Sequence, residues 1–223
     1  GTVYPTAEDF RVWAYWKDVP KPSDHADFTG ASKYIDAKKF TYKEYSNLKL
    51  WKGKNHTYYW PKTGSLVFAC LSPADAAIEI DENTHDVVTD KFEFTYENPY
   101  DTKKTRDIMW SDCTISYTEQ TEGEGVPVKF NHALSWITFK VQGEPDDAVL
   151  NGGFQINSIT INNVKTKASF VSSNKSWNFQ KEPKNYVVFE GSKNLTATPE
   201  VIETNPQGTL VIPQTQDAGY IAT

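Results

Sequence analysis

The chain has 223 residues, a net charge of −6 and a sequence pI near 5.3, enough length for one large or two small domains and the wrong charge for nucleic acid, whose phosphates select a basic face. No apolar run approaches the ~20 residues of a membrane-spanning helix, and two cysteines, Cys70 and Cys113, are too few for a disulfide scaffold and lack metal-binding spacing. Aromatics supply 14 % of the chain and Gly and Pro 12 residues each, a mixture that favours strands joined by turns over helices.

Residues Gly1 to Asp9 read as an unstructured lead-in. No secretory leader opens the chain at Gly1, which leaves a cytosolic protein or one whose targeting segment has been trimmed away. Phe10 to Trp16 is apolar on both parities, as a strand covered on both faces is. Lys17 to Ser32, with Pro20, Pro22 and Gly30, is loop material. Tyr34 to Phe40 and Leu48 to Trp51 are predicted as short strands, and Asn55 to Pro61 as a hairpin. Leu66 to Leu71, bounded by Gly64 and Pro73, has the pattern of a buried central strand. Ser72 to Ala77 is predicted to make one helical turn, with Ser72 as cap and Pro73 at the first position. Phe92, Phe94 and Tyr96 alternate, Asn98 to Asp101 turns the chain, and Ile108 to Trp110 and Ile115 to Tyr117 follow as strands.

Glu119 to Gly125 is polar, acidic and glycine-bearing with no apolar residue, and reads as a linker. It divides the sequence into an N-terminal domain, 1–122, and a C-terminal domain, 123–223. Beyond it, Val128, Phe130, His132, Leu134 and Trp136 share one parity, while Ile137, Phe139 and Val141 take the other. A strand whose buried face flips in this way needs a bulge or sharp bend, placed by the pattern near Trp136. Such a strand suits the seam of a sandwich. Phe154 to Ile161, Phe170, Trp177, Tyr186 to Phe189 and Leu210 to Ile212 supply further strands. Ten or more short strands with almost no helical period predict an all-β chain of two antiparallel sandwiches.

Catalytic constellations are missing from the sequence: there is no Gly-rich phosphate loop, nucleophile elbow, HExxH or paired CxxC. The expectation is a non-enzyme with no catalytic, cofactor or metal residues and no cofactor. His25, His56, His85 and His132 are scattered, and His132, on the apolar parity, reads as a hydrogen-bonded core histidine rather than a ligand. Glu122 to Glu124 and Glu144 to Asp147 carry enough carboxylates for calcium, but no regular ligand pattern with a central glycine, so they read as solvated acidic loops. Trp13, Tyr15 and Trp16, with Tyr58, Tyr59 and Trp60, suggest either a stacking platform for sugars or core packing, and their place inside strand-like runs favours the core. Arg11 and Arg106 are the only arginines and are expected at the surface. Cys70 and Cys113 pair if the domain is exported, or remain as buried thiols.

Five segments in order resemble the fimbrillin family, the type V pilus subunits and related surface adhesins of anaerobic gut and oral bacteria. They are Phe10 to Tyr15 ("F-x-v-x-A-Y"), Tyr58 to Pro61 with Leu66 to Pro73 ("yyWP…l-x-F-x-A-x-x-P"), and Phe94 to Tyr96 with Arg106 to Met109 ("f-x-Y…q-D-i-m"). Val128 to Ile137 ("v-x-F-x-H-a-L-a-k-i") and Leu210 to Gln214 ("l-i-P-Q") complete the set, which spans nearly the whole chain. The resemblance implies two tandem transthyretin-like Greek-key sandwiches in a structural or adhesive subunit of a cell-surface fimbria. It further implies export as a lipoprotein precursor, anchorage in the outer membrane, and polymerisation with other fimbrial subunits by β-strand addition. Family members carry a strand before the first motif and several after the last, so the second domain is expected to be incomplete here. The alternative reading is a surface lipoprotein that binds glycans through exposed aromatics.

Overall fold

In this computed structural model the described residues are 3–45, 48–81, 86–99, 101–117, 125–144, 153–180, 182–202, 205 and 208–215. The first strands are β1 (Phe10–Lys17), β2 (Ser32–Tyr45), β3 (Leu48–Gly53), β4 (Ser65–Ser72), β5 (Ile78–Glu79) and β6 (Glu93–Glu97). Next come β7 (Met109–Ser111), β8 (Thr114–Tyr117), β9 (Phe130–His132), β10 (Ser135–Ile137), β11 (Lys140–Val141) and β12 (Gln155–Val164). The remainder are β13 (Lys167–Val171), β14 (Ser176–Phe179), β15 (Lys184–Asn194), β16 (Glu200–Val201) and β17 (Thr209–Val211). Helix among the described residues is confined to two short 3-10 turns, His25–Phe28 and Thr102–Lys104, and no helix is long and apolar enough to cross a membrane. The all-β expectation holds.

The chain forms two compact units. One comprises Gly1–Tyr96, Ile108–Ala133 and Ser169–Trp177; the other comprises Glu97–Asp107, Leu134–Ala168 and Asn178–Thr223. The expected division at 122/123 lies outside the described residues, as do residues 119–124 of the acidic linker, His85, and Pro145 to Asp147.

Unit one is organised around β4. All eight of its residues are buried, because both edges and both faces are occupied. One edge pairs antiparallel with β1, from Arg11 opposite Leu71 to Lys17 opposite Ser65. The other edge is shared, with β8 alongside Ser65 to Phe68 and β7 alongside Leu71 and Ser72. The sheet runs β3-β2-β1-β4-β7-β9. Register then sorts the side chains by face. Val12 lies opposite Cys70 and Ala14 opposite Phe68, and these join Phe10, Ile35 and Leu66 in one cluster, closed over by Tyr4, Trp51, Tyr58, Trp60, Val126, Val128 and Phe130. Trp13, opposite Ala69, points the other way and meets Phe92 at 5.2 Å between ring centroids. Phe92, Phe94, Phe170, Trp110 and Trp177 continue that second aromatic layer at 5.0 to 5.9 Å. β1 is apolar on both parities because two cores share it.

Three local expectations are corrected. Residues 55–61 form no hairpin but cross the sheet without regular structure, because Tyr58, stacked 5.8 Å from Phe40, and Trp60 fill the first core from outside the ladder. After Ser72 the chain takes a cis peptide to Pro73 and a turn closed by the Ala76 N–H on the Pro73 carbonyl at 3.1 Å, with no helical turn. The change of parity falls earlier than expected. Val126, Val128 and Phe130 pack against the first core, then Ala133 and Leu134 are buried in succession, and the chain leaves β9, paired with β7, to enter β10, paired with β17. Ala133 closes one unit and Leu134 opens the other.

Unit two is built on the long antiparallel pair β12–β15, with β10–β17 and β11–β16 as separate two-stranded pairs. Val164, Tyr186, Val188 and Val211 form its core, flanked by Ile137, Phe139, Ile159 and Ile161.

Burial fixes the chemistry of the cysteines. Both are free and buried; burial pushes the Cys70 thiol up to about 12, and burial, with Asp90 nearby, pushes Cys113 up further. Only a thiolate attacks, so neither is expected to react with a water-soluble disulfide reagent in the native protein, and both are expected to react after denaturation. Trp13→Ala is expected to cost about 3–5 kcal/mol in a urea titration by leaving a cavity in the second aromatic layer, against Phe92. Tyr59→Ala, at a site 77 % exposed, is expected to change stability by less than ~0.5 kcal/mol in the same urea titration.

Candidate functional site

The aromatic clusters singled out in the sequence are mostly structural. Trp13 is fully buried. Trp16 is half-buried, with its indole N–H donating to the Thr63 carbonyl at 2.9 Å. Tyr58 and Trp60 belong to the first core. Only Tyr59 of these stands out into solvent, its carbonyl accepting from the Tyr34 hydroxyl. Arg11 is half-buried, correcting the surface expectation: its guanidinium lies 5.9 Å over the Trp13 ring and donates to the Ala76 carbonyl at 3.1 Å. Arg106 is half-buried too.

The described histidines do not converge. His25 lies 3.9 Å from Asp90, and His56 is edge-on to Tyr58 at 4.6 Å. His132 is exposed, which corrects its reading as a core residue. It ends β9 at the margin of the sheet, where the face that Phe130 covers runs out. Among the described residues no cluster of three or more His, Cys, Asp or Glu has the placement to hold a metal.

A concave feature lies in unit two. Ser135 and Ile137 from β10, Ile161 and Val164 from β12, and Val211, Pro213 and Gln214 at the end of β17 line an open groove of about 180 Å³. Its composition follows from strand periodicity: Ser135 and Ile137 face the groove while Trp136, between them, faces away. Both walls have vacant ladders. β10 pairs with β17 alone and β12 with β15 alone, so among the described residues each has one edge without a strand partner. An edge of this kind leaves a row of N–H and C=O groups open to pairing.

Polar side chains, Gln214 of the groove lining among them, tie distant backbone segments of this unit together. Gln214 receives the Lys165 N–H on its side-chain oxygen at 2.8 Å, and its amide donates to the Lys165 carbonyl at 2.9 Å and the Ile212 carbonyl at 3.1 Å. On the far side of β17, the Leu210 carbonyl accepts from Asn98 and from the Tyr186 hydroxyl, each at 3.3 Å. Tyr186 also shares a hydrogen bond of 3.0 Å with Thr105, and burial, partly offset by that bond, raises its pKa. Asn205 donates to the carbonyls of Thr102 and Thr105 at 2.9 and 3.3 Å. These contacts were not legible in the sequence. Leu210 to Gln214 was conspicuous there, but nothing in the string shows that Gln214 reads the backbone of Lys165.

Nearly all the regular structure of the described residues is strand, which makes this an all-β protein. It belongs to the fimbrillin-like family, whose profile matches residues 6–223. No curated protein matches it. Among solved structures it is similar to a fimbrial protein from Bacteroides vulgatus ATCC 8482, at 13 % identity and a TM-score of 0.57, over 92 % of this chain and 70 % of that one. It is also similar to a candidate cell adhesion protein from Bacteroides uniformis ATCC 8492, at 15 % identity and a TM-score of 0.53, over 96 % and 72 %. At these identities the likeness speaks for the fold, and it agrees with the all-β architecture.

Gln214→Leu is expected to lower stability by about 1–3 kcal/mol, three net hydrogen bonds being lost. Tyr186→Phe is expected to cost about 1–2 kcal/mol, since Thr105 and the Leu210 carbonyl lose a partner without a cavity forming. Urea unfolding followed by circular dichroism checks both.

Proposed function

We propose that this chain is a non-catalytic structural or adhesive subunit of a bacterial cell-surface fimbria, joined to other subunits by β-strand addition at the unit-two groove. The observation that carries this reading is the groove: apolar side chains between two strands, each with a vacant edge. An extended segment lying there would complete a ladder and cover Ile137, Ile161 and Val211, and each aliphatic side chain moved fully out of water contributes about 1.5–3 kcal/mol. Membership of the fimbrillin-like family supports the reading. In it the precursor is exported, carried to the outer membrane on a lipid anchor and displayed at the surface, and the two units correspond to tandem transthyretin-like sandwiches.

Charged groove residues separate assembly from folding. Ile137→Lys and Ile161→Lys are expected to leave the circular dichroism spectrum intact while abolishing incorporation into filaments seen by electron microscopy of the producing cells. Normal filaments from both variants, with adhesion unchanged, would refute strand addition at this groove; normal filaments in a strain lacking the protein would refute the fimbrial reading itself.

A further inference from the structure

Trp136 is 70 % exposed, although indole is among the side chains whose burial contributes most. Its position follows from the early change of parity: once Ala133 and Leu134 are buried in succession, Ile137 and Phe139 turn inward and Trp136, Thr138 and Lys140 turn out. The ring is not loose. It lies against Gly208, whose φ of +78° belongs to the region that favours glycine, and a Cβ at Gly208 would overlap the indole. The Gly208 N–H donates to the Asn205 carbonyl at 2.8 Å, and Asn205 is tied through its side chain to Thr102 and Thr105. An exposed ring is thus braced along one edge by an anchored turn.

The geometry points to a glycan-binding site on this face, with Trp136 as the stacking surface for a pyranose ring and Thr138 and Lys140, which follow it in the chain, as polar neighbours. The size and surroundings of the patch select the ligand. A stable protein interface covers about 800 Å² on each partner, whereas here one indole is followed by exposed Thr138 and Lys140, with Val201 opposite Lys140 as the next exposed large apolar side chain among the described residues of unit two's paired strands. A single flat ring with polar neighbours matches a ligand that is C–H on its faces and hydroxylated at its edges. Preorganisation adds to the fit, because a braced ring loses little freedom when a ligand lands on it. The site lies on the opposite face of β10 from Ser135 and Ile137, so it stands or falls independently of strand addition at the groove.

The test uses the whole chain and a set of soluble oligosaccharides: β-1,4-glucan, β-1,3-glucan, α-mannan and β-galactan tetrasaccharides, each titrated to millimolar concentration. The indole N–H resonance of Trp136, identified by its loss in Trp136→Phe, is followed by nuclear magnetic resonance while affinity is measured by calorimetry. At least one sugar is expected to shift that resonance, with affinity reduced about tenfold or more in Trp136→Ala and by less in Trp136→Phe. Gly208→Ala, which displaces the ring without removing it, is expected to weaken binding and move the same resonance. The proposal is overturned if no sugar in the set shifts the Trp136 signal, if Trp136→Ala binds as the parent does, or if the parent self-associates in sedimentation and Trp136→Ala alone is monomeric, which would make the face a protein interface.

Discussion

The backbone ladder along β4 is the constraint from which the rest of unit one follows. With β1 on one edge, β7 and β8 along most of the other, and the Cys70 N–H donating to the Ser111 hydroxyl at 2.8 Å between them, the backbone of a fully buried strand finds partners, which lets eight consecutive residues leave water. Once β4 and β1 are locked in register, alternation allots each side chain to one of two cores. Tyr4 shows how far the demand reaches. It lies outside the sheet, yet stacks on Phe130 at 4.7 Å, meets Phe10 and Trp51 edge-on at 5.6 Å, and bonds Ser72 at 2.7 Å. Burial pushes its phenol up to about 12, so it stays neutral there.

Unit two obeys the opposite rule. Its strands are joined two by two, and its core of Val164, Tyr186, Val188 and Val211 is small. Polar side chains do much of the joining: Asn98, Tyr186, Asn205 and Gln214 each bond backbone atoms far away in sequence. Bonds of this kind stabilise by being made, and they also fix position, since an unpaired buried amide is costly. A unit built this way keeps vacant edges available while its strands stay in place.

Much of this was legible in the string. Leu66 to Leu71 announced the central strand because a short unbroken apolar run between Gly64 and Pro73 has few other uses, and Phe10 to Trp16 announced a strand covered on both sides. The slip of parity after Phe130 was visible too, but its place was not. Counting apolar letters put Trp136 inside, whereas the burial of Ala133 and Leu134 together had already turned the strand over. Small residues such as Ala133 carry little hydrophobic signal, so the pattern was read from the larger Trp. Residues 55–61 misled for the same reason, since Tyr58 and Trp60 are core residues without being strand residues. The groove was hidden altogether: it depends on which edges remain vacant, and pairing partners do not appear in periodicity.

Gln214 has one more consequence. Its amide imitates a peptide unit, offering Lys165 one acceptor and one donor as a neighbouring strand would. A peptide unit in a true ladder is released only by moving the main chain, but a side chain swings aside by rotation about its own bonds, at the loss of three contacts worth roughly 1 kcal/mol each. The seam beside Lys165 is therefore fastened by a latch rather than a weld, released by side-chain rotation alone.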